Sequence, residues 1–199
     1  MTKRLREDWL YIAPHIIGRR VANVSEVIDE LNQKTLDPDD EYDKITIYER
    51  QVQQWFIQPA TQLIKKKENE FIVFMIALSY VEGVEQYRKG TSSNHNSKPF
   101  FISSMKRIFG LTDADTDNLG VLYTQARCGL FHNGMTSEKI VLNSSTEVAI
   151  DFSDPDMILV NPKRFLKRIT EDFEEYIEIM RKPEGKELRD KFSHMFSVL

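Results

Sequence analysis

Cysteine is almost absent from the sequence, and Cys128 is its only representative. A single cysteine excludes an intrachain disulfide and a zinc site built from four cysteines. Histidine is scarce as well, and His15, His95 and His194 lie far apart without the H-x3-H or HExxH spacing of metal ligands. We therefore expect neither a metal ion nor another cofactor.

Long apolar runs are also missing. The longest, Phe71–Leu78, is far shorter than the roughly 18 residues that a membrane span needs. The basic start of the chain, Met1–Arg6, is followed by Glu7 and Asp8 rather than by an apolar stretch, which is unlike a secretory signal. We expect a cytoplasmic protein with no membrane partner.

The sequence has no excess of positive charge: it contains 27 basic and 31 acidic residues, and its formal net charge is −4. A protein drawn to nucleic acid by its overall field has the opposite balance, so any RNA contact must be local. The 199 residues, 41% of them hydrophobic, suffice to bury one core and do not require two. We predict a single domain over residues 1–199.

Hydrophobic periodicity predicts a mainly helical chain with a small β region. Residues 8–33 hold two amphipathic stretches, the second a helix capped by Ser25, and residues 34–43 form an exposed loop. Further helices are predicted at about 45–89 with an interruption near Pro59, and at 99–109, 117–134, 162–180 and 187–198. Residues 139–143 and 147–152 predict a β-hairpin, and residues 157–160 a third short strand.

The segment from Asn118 to Thr136 differs in composition from the rest of the chain. At the average charged content of 29% it would hold about five charged residues, but Arg127 is the only one. Helical geometry places an apolar stripe on one face and an uncharged face opposite it, which suits burial against another subunit. The stripe contains Leu119, Leu122, Tyr123, Ala126 and Leu130, and the opposite face contains Val121, Thr124, Gln125, Cys128 and His132.

Arg127 and His132 are the candidate functional residues of this segment. On one α-helix they lie roughly 140° apart, so a single helix does not direct both side chains to one point. An arginine on the flank of the helix and an unrelated histidine are the simpler interpretation of the spacing. The uncharged face and the isolated arginine favour a functional pair, and Gly129 and Gly134 leave the helix accessible.

The sequence ARCGLFHNG, residues 126–134, resembles the R-x4-H signature of the HEPN superfamily, in particular its R-C-G-L-x-H subset. Residues 77–90, ALSYVEGVEQYRKG, are similar to the central helix of that superfamily, in which a glutamate precedes a short run ending in glycine. The order of helix, polar loop, short helix and motif helix is similar too. The resemblance covers about residues 45–134, with a core predicted at about 45–136 and residues 139–199 packed on it.

This resemblance implies a HEPN-like helical bundle with a small β-hairpin or sheet insertion and a C-terminal helix. It also implies a homodimer formed through the motif helices and a metal-independent endoribonuclease whose Arg127 and His132 from both subunits face one cleft. Many such proteins are toxins or antiviral effectors, so a cognate antitoxin or another partner protein is implied. Others are inactive and bind protein or RNA. Cys128 departs from the pattern, because a polar Asn, Asp or His often follows the arginine.

The chemistry of RNA cleavage suits this pair. His132 can act as base or acid near neutral pH, and Arg127 can donate two parallel hydrogen bonds to phosphate oxygens. A reaction that uses the 2′-hydroxyl takes RNA and not DNA as substrate. Glu82 matches the glutamate of the superfamily and is the candidate to orient Arg127 or His132. Glu85 has a plainer interpretation, as an exposed or arginine-paired carboxylate.

Other polar clusters give weaker predictions. The lysines at 65–67 and the basic group Lys163, Arg164, Lys167 and Arg168 are best explained as solvated helix surface, since acidic residues follow the second group. Cys128 could serve as a nucleophile with His132 four residues later, although a thiol packed in an interface is more common. A glycine-rich phosphate loop is absent from the sequence.

Overall fold

The computed structural model describes residues 5–129, 135–136 and 139–197. It confirms the prediction of a mainly helical chain, and it contains two small sheets. The chain divides into two compact units, one formed by Met1–Pro59, Tyr87–Thr91 and Glu175–Leu199, the other by Ala60–Gln86 and Ser92–Glu174. The single domain expected for residues 1–199 stays a prediction.

The first unit begins with a four-stranded antiparallel sheet, where we expected a helix capped by Ser25. Its strands, paired in chain order, are β1 (Leu10–Ala13), β2 (Ile16–Val21), β3 (Val24–Asp29) and β4 (Lys34–Leu36). The helix prediction is wrong, because Ser25 lies within β3 and pairs with Arg20. Ala22 and Asn23 have φ angles of 48° and 67°, so they form the two-residue turn that joins antiparallel strands.

A buried ion pair anchors this sheet to the following helix, α1 (Glu41–Val52). Asp29 is 1% exposed, and its Oδ2 accepts a hydrogen bond from Arg50 Nη2 at 3.0 Å. Asn32 donates to the same carboxylate from both its backbone and its side chain. Burial raises the pKa of Asp29, but the hydrogen bonds from Asn32 and the charge of Arg50 outweigh burial and hold the pKa below its usual value.

Helix α1 begins earlier than predicted, because Asp40 caps it by accepting hydrogen bonds from the backbone N–H groups of Tyr42 and Asp43. The loop predicted at residues 34–43 is therefore wrong at both ends, where β4 and α1 lie. A π-helical segment, Gln53–Ile57, then leads into α2 (Gln58–Leu63). The irregularity expected near Pro59 thus lies just before it, where the missing proline N–H disturbs the α-helical pattern.

The rest of the first unit is held together by aromatic side chains. Tyr48 of α1 lies 4.9 Å from Tyr87 and 5.1 Å from Phe192, measured between ring centroids. Phe192 belongs to the C-terminal helix, Lys186–Met195, and stacks on Phe196 at 5.1 Å. Edge and stacked ring contacts of this kind add to the energy of apolar burial.

The second unit contains four helices, wholly or for the most part. They are α3 (Glu70–Lys89), α4 (Ser97–Phe109), α5 (Thr116–Leu122) and α6 (Pro162–Arg181), so the C-terminal helix named above is α7. The predicted helices at 99–109 and 162–180 are confirmed, and so is the second half of the helical region predicted at about 45–89, which forms α3. Phe165 of α6 packs against Phe74 of α3 at 5.2 Å and Phe109 of α4 at 4.6 Å, which places the predicted apolar stripe of α6 in the core.

The second sheet does not have the hairpin predicted from residues 139–143 and 147–152. Strand β7 (Ile158–Val160) lies between β5 (Ile140–Leu142), to which it is parallel, and β6 (Ile150–Asp151), to which it is antiparallel. Strand β7 takes the central position, with Ile158 and Val160 buried. Asn161 donates its side-chain amide to the carbonyl groups of Ser144 and Thr146, which ties the connection to the start of α6.

Among the described residues, no helix has both the length and the apolar composition that crossing a membrane requires.

Candidate functional site

An ion pair joins the helix that contains Arg127, here called the motif helix (residues 116–129), to the central helix α3 of the second unit. Arg127 Nη2 lies 2.8 Å from Oε2 of Glu82, which projects from α3. The side chains are partly buried, with 27% of Arg127 and 14% of Glu82 exposed. The two residues are 45 positions apart in sequence, so the pair depends on the packing of the helices. Glu82 thus contacts Arg127, one of the two residues it was expected to orient.

The loop after α3 fixes the other oxygen of Glu82. Gly90, with φ of 67°, ends the helix in the left-handed conformation. The chain then returns along α3, so that Ser93 Oγ donates to Glu82 Oε1 at 2.8 Å and Ser93 N donates to Gln86 Oε1 at 3.0 Å. Both carboxylate oxygens of Glu82 are therefore engaged. Ser93 was not predicted, and nothing in a serine-rich polar loop distinguishes it from its neighbours.

Tyr123 supports Arg127 from the same helix. The guanidinium carbon of Arg127 lies 5.7 Å from the centroid of the Tyr123 ring, within the range of a cation–π interaction. The Tyr123 hydroxyl shares a 2.5 Å hydrogen bond with Ser97 Oγ, and its ring packs against Phe101 at 5.4 Å. Arg127 is held by a carboxylate and lies near an aromatic ring that is itself fixed.

The motif helix is not a regular α-helix. After α5, residues Tyr123–Cys128 form a π-helical segment, which contains Arg127. The wider π-helical turn gives each residue a smaller angular step than an α-helix does, and the 140° separation of Arg127 and His132 stays a prediction. His132 lies outside the described residues. Leu119, Leu122 and Ala126 are buried as the predicted stripe requires.

Gly129 is required at its position in this helix for a steric reason. A Cβ atom at Gly129 would lie 2.7 Å from the carbonyl oxygen of Met135, a distance that no real side chain tolerates. Its φ of −57° is open to any residue, so space rather than backbone conformation demands glycine here. Cys128 beside it is partly buried and carries a free thiol.

Glu85 belongs to a separate ion-pair network in the second unit. Its side chain is 6% exposed, and it accepts hydrogen bonds from Ser103 Oγ at 2.7 Å and Arg107 Nε at 3.4 Å. Arg107 also pairs with Asp172 of α6, which accepts a hydrogen bond from Tyr80. Burial lowers the pKa of Arg107, but the hydrogen bond and charge of Asp172 outweigh it, so the pKa is raised. Glu85 is therefore the arginine-paired carboxylate that we expected.

The basic group on α6 is exposed and largely paired with acidic neighbours. Arg164 contacts Glu147 at 2.7 Å, and Lys167 and Arg168 both contact Glu171. Lys65, Lys66 and Lys67 are exposed beyond the end of α2. Within the described ranges, no three His, Cys, Asp or Glu side chains lie close enough together to hold a metal ion.

A groove of about 400 Å³ lies between α4 and the motif helix. It occupies part of the uncharged face predicted for that helix. Its lining residues come from two adjacent stripes of the motif helix and from the facing side of α4: Thr116, Asp117, Gly120, Val121, Thr124 and Gln125, with Lys98 and Ile102. Sequence reasoning identified the face but not the cavity, because Lys98 and Ile102 come from another helix.

We compared the chain with family models, with curated proteins and with solved structures. None of them matches. The assignment of function therefore rests on the sequence motif and on the arrangement of Arg127, Glu82 and their neighbours.

Proposed function

We propose that this protein is a metal-independent endoribonuclease of the HEPN type, with Arg127 and His132 as its catalytic residues. The observation that carries the proposal is the ion pair between Arg127 and Glu82. It links the motif helix to the helix in which the superfamily resemblance expects a glutamate, and it leaves the guanidinium partly exposed. An arginine held in place in this way is prepared to bind a phosphate group without first being ordered.

The proposed reaction is an internal transfer at phosphorus. A base removes the proton of the 2′-hydroxyl, the 2′-oxygen attacks the adjacent phosphate, and a 2′,3′-cyclic phosphate forms while the 5′-oxygen leaves with a proton from an acid. His132 serves as base or acid, and Arg127 stabilises the negative charge that develops on the phosphate oxygens. Glu82 is a positioning residue that acts through Arg127.

The reaction needs one group to take a proton and another to give one, and a homodimer supplies two copies of His132. We place the contact between copies around Cys128, at the end of the uncharged face. Cys128 is partly buried and lies outside the groove, whereas Val121, Thr124 and Gln125 line it. A thiol packed between subunits also explains why an apolar residue follows the arginine.

Cleavage of labelled single-stranded RNA in the presence of EDTA tests the proposal. The wild type is expected to leave 2′,3′-cyclic phosphate ends, and His132→Ala to lower the rate by about 10²–10⁴-fold, the usual loss for a general acid or base. Arg127→Lys keeps the charge but loses paired donation to phosphate, so it should remain clearly impaired.

Circular dichroism and melting curves of both variants serve as the folding control. Wild-type cleavage by His132→Ala would show that the activity comes from another site or a contaminant. If the wild type cuts none of a set of single-stranded and structured RNAs, the protein is instead an inactive binding module of the same type.

A further inference from the structure

The groove beside the motif helix is not used by the chemistry proposed above, although it adjoins the segment that carries Arg127. Its floor is formed by Gly120 and Val121 of the motif helix and Ile102 of α4. The side chain of Lys98 lies over Gly120, so a flat ring would lie against Val121 and Ile102. A volume of about 400 Å³ is within the range of small-molecule sites.

Two hydrogen-bond donors are available at this floor. Lys98 extends across Gly120, with its Nζ 3.1 Å from the position that a Cβ there would occupy. Within the described part of the chain, Lys98 has no hydrogen-bond or ion-pair partner. Gln125 uses its side-chain oxygen to accept a hydrogen bond from Lys139 N at 3.1 Å, which leaves its NH2 group to donate.

Acceptors line the same groove. Asp117 contributes a carboxylate, and it too has no partner among the residues that the structure describes. Thr124 donates its hydroxyl to the carbonyl of Gly120 at 3.0 Å, so the hydroxyl offers only a lone pair to a ligand. The groove thus combines a carboxylate, an ammonium group and an amide with an apolar floor, which suits a planar heterocycle that carries both donors and acceptors.

We propose that this groove binds a guanine base of the RNA strand, an inference that rests on the proposed ribonuclease function. The Asp117 carboxylate accepts from the ring N1–H and the exocyclic amino group, and Lys98 donates to the O6 carbonyl. Ile102 and Val121 contact the ring faces. Guanine alone among the four bases presents two adjacent N–H donor groups to a carboxylate and a carbonyl beside them. Adenine and cytosine place an acceptor nitrogen where guanine has N1–H.

Binding to the His132→Ala protein tests this inference without depending on cleavage. The probes are fluorescein-labelled oligouridylates that carry at one central position guanosine, inosine or adenosine. We expect the guanosine strand to bind about tenfold more tightly than the adenosine strand, the order of magnitude for one good bidentate contact to a base. Inosine lacks the exocyclic amino group, so it should bind with intermediate affinity.

Three substitutions connect the preference to the groove. Asp117→Asn and Lys98→Ala should each remove most of the difference between the guanosine and adenosine strands. Gly120→Ala introduces a methyl group where the Lys98 ammonium lies, and should also weaken guanosine binding. Because alanine favours a helix more than glycine does, this variant should keep or raise Tm, so unfolding would not explain its loss of binding.

Lys163→Ala, an exposed lysine of the same unit on α6, is the matched control and should retain the guanosine preference. Equal binding of the three strands by the His132→Ala protein would overturn the inference even if the wild type cuts RNA. Equal losses in Lys98→Ala and Lys163→Ala would overturn it as well, because they would show attraction of phosphate by charge alone.

Discussion

Replacement of Glu82 by glutamine is the most direct perturbation of the proposed site. The substitution keeps the size of the side chain and an oxygen that can accept from Ser93, but it removes the negative charge that faces Arg127. In the wild type these partners lie 2.8 Å from Glu82 on either side. The change therefore weakens the placement of the guanidinium without opening a cavity.

The expected effects on stability and on activity differ in size. A hydrogen bond to a charged group contributes about 1.5–3 kcal/mol, and partial exposure of Arg127 reduces this, so we expect a loss of about 1 kcal/mol in unfolding free energy. A displacement of about 1 Å at a reacting group costs up to about 100-fold in rate. Glu82→Gln should therefore cut RNA about 10- to 100-fold more slowly while remaining folded.

Glu85→Gln is the matched control, because Glu85 lies three residues further along α3 and also pairs with an arginine. Its side chain is 6% exposed, so its replacement should cost more stability, about 1–3 kcal/mol. The reason is that its partners Arg107 and Ser103 would lose a charged hydrogen-bond acceptor in a buried environment. Its effect on cleavage should be small. Urea denaturation and initial rates of RNA cleavage measure the two quantities. Wild-type rates in Glu82→Gln, or equal rate losses in both variants, would refute the positioning role.

Two further predictions concern Asp29 and Cys128. Asp29→Asn should lower the unfolding free energy at neutral pH by about 3 kcal/mol, because it leaves the partly buried Arg50 without its counter-charge. Since the pKa of Asp29 is lowered on folding, its contribution is complete above the ordinary value of 3.8 and is lost as pH falls through the lowered pKa, so the denaturation curves of wild type and variant should converge in acid. Cys128→Glu should convert a dimeric wild type into a monomer in sedimentation, because a carboxylate without a partner would be buried between subunits; a monomeric wild type at micromolar concentration would contradict the proposed dimer.

The helices of the second unit were predictable because their burial follows from local periodicity. Residues 70–89 are apolar on nearly every side at first and end at Gly90, and both features act within one helix. The apolar stripe of α6 likewise predicted the contact of Phe165 with the core. Patterns of this kind predict helices correctly because tertiary packing buries the apolar face that the local sequence already defines.

The N-terminal sheet was missed because its turns contain no glycine. Ala22, Asn23 and His15 adopt positive φ angles, a conformation that costs energy for most residues with a side chain, and only Asn23 among them is a residue that turns favour. Alternation along β2 and β3 was present, but a plausible cap at Ser25 favoured a helix. The segment forms a strand because it pairs with the neighbouring strands of the sheet. The propensity of a single segment does not include such pairing.

The candidate site was predictable in part. Composition distinguished the motif helix, and the contact of Glu82 with Arg127 follows from a resemblance between two separate segments. Ser93 and Lys98 could not be predicted, because each reaches its position only through the path of a loop or the packing of α4. The π-helical segment at Tyr123–Cys128 was also not predicted, because the apolar spacing of these residues fits a regular α-helix.

In the π-helical segment, the number of residues and the direction of the helix are not linked as they are in a regular α-helix. A π-helical turn accommodates one residue more than an α-helical turn, so removal of one residue from Tyr123–Cys128 would let the backbone return to the regular pattern. The helix would survive, and the parts on either side would keep nearly the same direction, because the wider turn had already taken up the extra residue. Spacing counted in residues and direction measured in degrees are thus separate properties of this motif.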